Sequence, residues 1–100
     1  MIPNKRNIPR NICIKDNIWT VVFKNKIIEH NIECDGLCDP STYTIYIRTK
    51  QSKTETFATF LHELFHAIEF EYDFQMKHSH IYKLEYAMVN LIKDNFMDQD

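Results

Sequence analysis

Residues 52–71 read "SKTETFATFLHELFHAIEFE", and this stretch decides the fold. Ser52 and Glu55 stand in the Ser-x-x-Glu spacing of a capping box, which satisfies free amides at a helix start, so a helix begins near Lys53. At about 100° per residue, Phe57, Leu61, Leu64, Phe65, Ile68 and Tyr72 share one arc. His62 and His66 leave from another edge, one turn and about 6 Å apart along the axis. Glu63 flanks them. The helix is expected to run to about Glu71.

Upstream the pattern changes from helical to alternating. "IWTVVF", 18–23, sets Trp19, Val21 and Phe23 on one face and Ile18, Thr20 and Val22 on the other, which predicts a strand. A shorter strand is expected around Ile12 to Lys15 or Ile27 to Ile32. "CDGLCDPST", 34–42, reads as turn chemistry. Asp35-Gly36 and Asp39-Pro40 each favour a reversal, and Gly36, the chain's one glycine, suits a positive φ. "YTIYIR", 43–48, is a second alternating strand. Downstream, "EYDFQMKHS" breaks the helix, and a second helix is expected from about His80 to Phe96. Strands followed by two helices make an α+β domain. One domain spans 1–100, with an irregular arm over 1–11 where Pro3 and Pro9 interrupt regular structure.

Composition narrows the function classes. Hydrophobic residues make up 44% and charged residues 26%, the balance of a soluble globular protein. A net charge of −2 provides no general attraction to nucleic acid or anionic lipid, and no apolar run approaches membrane-spanning length. Lys5, Arg6 and Arg10 make a locally basic arm, read as solvated. The first residues lack the apolar run of an export signal, so a cytoplasmic setting is expected. Cys13, Cys34 and Cys38 are an odd set that suits reduced thiols. Cys34 and Cys38 lack the second pair that a structural zinc site needs.

The H-E-x-x-H of residues 62–66 brings two imidazoles to one helix edge at a spacing that lets both reach one ion, with a carboxylate beside them to act as base. The bland alternative is a polar helix face with Glu and His paired across one turn. A catalytic site needs a third protein ligand, and His78, His80 and Glu85 are the downstream candidates. On the second helix Glu85 falls amid Ile81, Met88, Val89, Ile92 and Phe96. An unpaired carboxylate there is costly, so a protein donor or a metal must compensate it.

Eighteen residues separate His66 from Glu85, giving H-E-x-x-H-x₁₈-E. This resembles the gluzincin metallopeptidases, and the small size looks most like the compact ImmA/IrrE-type metallopeptidases common on phages and mobile elements. The metzincin pattern fails, since Glu69 and Tyr72 stand where its glycine and third histidine belong. The resemblance implies a minimal zincin-like domain, with a small, mainly antiparallel sheet before the active-site helix. It implies zinc held by His62, His66 and Glu85, with Glu63 as general base. Val89 departs from the family, which often carries an aspartate there to orient a ligand histidine. Support would come instead from Glu55, Glu69 or a backbone carbonyl. The extra donor for a tetrahedral oxyanion would come from His78, His80, Tyr82 or Tyr72.

The expected activity is zinc-dependent hydrolysis of a peptide bond in a protein or peptide substrate, with Glu63 activating water at the metal. An extended substrate would lie along "YTIYIR" if that strand forms the sheet edge. The rival expectation is a non-catalytic, zinc-stabilised interaction module closed by a fourth ligand, His78 or His80.

Overall fold

The computed structural model describes residues 7–95. The alternation of 18–23 is realised in β2, Asn17–Lys24. Trp19 and Val21 are 0% and 2% exposed, while Ile18 between them and the turn is 59% exposed. Strand β1, Asn11–Ile14, pairs antiparallel with β2, so Ile12 faces Trp19 in register. Two further short strands, β3 (Ile27–Glu29) and β4 (Ile32–Cys34), form a separate hairpin. His30 and Asn31 join them with φ of 53° and 65°, the left-handed pair that a two-residue hairpin turn demands. Both sites weighed for a short strand are thus occupied.

The segment expected as turn is a strand over half its length. Strand β5, Gly36–Asp39, pairs antiparallel with β6, Thr44–Arg48, which in turn runs parallel to β2. The sheet order is β1-β2-β6-β5. Strand β6 is therefore interior and β5 is the edge, so the condition for a substrate along "YTIYIR", that this strand forms the sheet edge, is not met. Ile45 and Ile47 are fully buried on β6, as an interior strand requires. The reversal at Asp39-Pro40 does form, as a 3-10 turn over Pro40–Thr42. Asp39 closes it by accepting hydrogen bonds from Ser41 N, Ser41 Oγ and Thr42 Oγ1.

Gly36 serves a different purpose from the one expected. Its φ is not positive. A Cβ placed on it would lie 2.7 Å from Thr59 Cγ2 and 3.0 Å from both Cγ and Oε2 of Glu63. Glycine lets β5 press directly onto the motif helix.

That helix, α1, spans Lys53–Tyr72. Its capping box is complete: Ser52 Oγ accepts from Glu55 N at 3.1 Å, and Glu55 Oε1 accepts from Ser52 N at 3.0 Å. Asp73 ends it in the left-handed region at φ 55°. Phe60 and Ala67, outside the predicted apolar arc, are buried with Phe57 and Leu61, because α1 is covered by the sheet on one side and α2 on another. Glu71 anchors the far end, accepting from Trp19 Nε1 at 2.8 Å and from Asn17 Nδ2. Helix α2, His78–Asn95, begins two residues earlier than expected.

Part of the proposed arm is ordered core. Ile8 is 2% exposed, and Arg10 O accepts from Val21 N at 2.8 Å. The remainder of the arm, with Pro3, Lys5 and Arg6, lies outside the described residues, as does Phe96. The architecture is a mostly antiparallel sheet followed by two helices, an α+β fold. Among the described residues, no helix is long and apolar enough to cross a membrane.

Candidate metal centre

The one-turn spacing on α1 points His62 and His66 at a common spot, with their Nε2 atoms 3.3 Å apart. The first residue of α2 completes the group. His78 Nε2 lies 3.1 Å from His66 Nε2, and the three ring nitrogens lie within 4.8 Å of one another. Donors about 2.0–2.1 Å from a tetrahedral ion sit about 3.3 Å apart. The three histidines are close enough to hold a metal ion.

Proton placement strengthens the fit. His62 Nδ1 is 2.7 Å from Glu85 Oε2, and His66 Nδ1 is 2.8 Å from Glu69 Oε1. An ionised carboxylate only accepts, so each Nδ1 carries the donated hydrogen. In the neutral rings the two Nε2 atoms then face each other as bare lone pairs, a repulsive contact that a shared cation relieves. Burial holds the His62 pKa below its ordinary value, against the opposing pull of Glu85, with His66 and His78 adding to the lowering.

Glu85 was expected as the third ligand; the fold sets it on the outer nitrogen of His62, and His78 provides the third inward nitrogen. Glu69 reaches in two directions. Its Oε1 holds His66 while its Oε2 accepts from the backbone N–H of Met76, fixing the connector that delivers His78. Glu55 caps the helix through Oε1 and makes no hydrogen bond to the histidines. Of the four candidate oxyanion donors, Tyr82 stands nearest, its ring 4.9 Å from that of His62 and 5.3 Å from that of His78. His78 belongs to the cluster itself. His80 is exposed, and Tyr72 is exposed beneath Lys15, whose Nζ is 5.5 Å from its ring centroid. Among the described residues, no fourth His, Cys, Asp or Glu joins the group, and the three cysteines are free.

Glu63 sits beside the triad, 8% exposed and without a hydrogen-bond partner among the described residues. Burial, with Glu85 and Glu29 adding, pushes its carboxyl up to about 7. Two clefts of about 400 and 460 Å³ meet there, sharing Gly36, His62 and Glu63. Together they form a trough between the edge strand β5 and α1. Cys38 lines its metal-side end. Burial, followed by Glu63, Asp39 and Glu69, pushes that thiol up to about 12, so it stays protonated.

His78, one of the three downstream candidates, is set by the start of α2. Helix α2 starts there because Lys77 O accepts from both His80 N and Ile81 N, and His78 and Tyr82 then share a face at four-residue spacing. Comparison with protein-family models, curated proteins and solved structures gives no match.

Proposed function

We propose that this chain is a zinc-dependent peptidase whose metal is held by His62, His66 and His78, with Glu63 as general base. One observation carries the reading. Three converging imidazole nitrogens stand beside a largely buried carboxylate that accepts no hydrogen bond among the described residues, where the two clefts meet. Three histidines leave one position of a tetrahedral ion open, the ligand count of catalytic rather than structural zinc. When bound, zinc would polarise a carbonyl and acidify water.

The protein groups divide the remaining tasks. Glu85 and Glu69 hold His62 and His66 in the tautomer that frees Nε2 for the ion. Glu63 takes a proton from water at its carboxylate oxygen and returns it to the leaving amine nitrogen; a carboxyl titrating near 7 suits both transfers. Tyr82, whose ring lies 4.9 Å from that of His62, would supply the hydroxyl that meets negative charge on the carbonyl oxygen. The edge strand β5 would offer an extended peptide a strand to pair with.

The rival reading, a zinc staple without turnover, draws on a specific feature. His62 and His66 come from α1 and His78 from α2, so an ion would pin the two helices together. One experiment separates the two. In Glu63→Gln, zinc measured by elemental analysis stays at about one per chain, while hydrolysis of a casein or peptide-library substrate falls by about 10² or more. Equal hydrolysis by wild type and variant would overturn the peptidase reading, and absence of zinc from the wild type would overturn both.

A further inference from the structure

Asp35 and Glu55 border one end of the trough, and neither belongs to the metal centre. Both bonds from Arg48 land on Oδ1 of Asp35, at 3.0 and 2.8 Å, leaving Oδ2 uncommitted. Glu55 likewise uses Oε1 for the helix cap and keeps Oε2. The cleft between them, about 400 Å³, has Ala58 and Tyr82 on its walls and Glu85 farther in. Among the described residues no lysine or arginine lines it, and Arg48, paired with Asp35, offsets one of the two charges at its border. Independently of these acids, Glu63 is buried, unpartnered and faces the same cleft, which marks the space as one that receives a ligand.

We infer that this cleft takes the side chain of a lysine or arginine beside the scissile bond, so the substrates are cationic peptide segments. The inference rests on the peptidase reading of the trough. A long basic side chain is amphipathic: its methylene stem lies against Ala58 and the Tyr82 ring, and its charged head reaches Asp35 and Glu55 at the mouth. The same carboxylates raise the local concentration of cationic segments and repel acidic ones. Gly36 of β5 lines the same cleft, so a peptide main chain paired with this strand runs along its border.

Binding tests this apart from turnover. The full chain carrying Glu63→Gln is titrated by NMR with three capped pentapeptides, Ala-Ala-Xaa-Ala-Ala, in which the central residue is Lys, Leu or Glu. The Lys peptide is expected to bind about tenfold tighter than the other two, the scale of two partly solvated ion pairs. Adding Asp35→Asn and Glu55→Gln should erase most of that preference. Both substitutions keep size, and glutamine still completes the capping box. Equal binding of the Leu or Glu peptide, or a Lys preference that survives both substitutions, overturns the inference. Lys-selective binding with no hydrolysis by the wild type supports the cleft and removes the peptidase. Hydrolysis without any Lys or Arg preference does the reverse.

Discussion

Oε2 of Glu85 lies 2.7 Å from Nδ1 of His62, on the side of the ring that faces away from His66 and His78. A carboxylate in that place orients an imidazole and raises its basicity without touching the ion. The distinction matters, because a ligand and a ligand's partner differ in what their removal does.

His78→Ala and Glu85→Gln therefore separate cleanly. Glu85→Gln should retain one zinc per chain and weaken its affinity by about 10–100-fold. His78→Ala, which deletes an inward nitrogen, should lower affinity far more and leave substoichiometric zinc after dialysis against a mild chelator. Competition titration with a chromogenic chelator reads both. The opposite ranking would make Glu85 the third ligand and His78 a bystander.

Gly36→Ala should destabilise the protein by about 1–3 kcal/mol, the usual cost of overpacking. The added methyl meets Thr59 Cγ2 at 2.7 Å. Thr59→Ser deletes that methyl and keeps the hydroxyl that donates to Gln51 Oε1 at 2.9 Å. The double variant should recover part of the loss in urea denaturation, though the 3.0 Å approaches to Glu63 persist. Independent, additive losses would show that the contact is not the cause.

Cys38 should resist thiol reagents that Cys13 accepts. Its pKa rises from an ordinary 9.0 to about 12, chiefly through burial, and the thiolate is the reactive form. Ellman's reagent near pH 8 should modify exposed Cys13 first and half-buried Cys38 far more slowly until the chain unfolds. The linkage has a definite sign. The unfolded thiol ionises first, so the stabilisation is intact below about pH 9 and is lost as pH climbs toward 12. Rapid labelling of Cys38 in the folded chain would contradict this.

Local chemistry made α1 readable. Ser52 and Glu55 announce its start, and the spacing of His62, Glu63 and His66 sets their directions before any tertiary contact forms. Glu85 was also readable in part: its place on an apolar face demanded a partner, and His62 is that partner. What the chain does not advertise is nonlocal. Strand β5 exists because Leu37 and Cys38 pair with Tyr46 and Ile45 across the 3-10 turn, while locally its residues look like a reversal. His78 enters the cluster because Glu69, seven residues back, grips the Met76 amide. Phe60 and Ala67 are buried because α1 is covered on two sides, which a single amphipathic arc does not anticipate.

The close seat of β5 on α1 also writes a longer signature than the pentapeptide. Glycine at 36, the paired histidines with their glutamate at 62–66, and histidine at 78 are each required by a contact in the fold. Together they spell G-x₂₅-H-E-x-x-H-x₁₁-H. A side chain at the glycine would have to be matched by a smaller residue at 59 or by a shift of the strand away from the helix. The tightest constraint in this pattern is one missing atom: the Cβ that would crowd Thr59 and Glu63 at position 36.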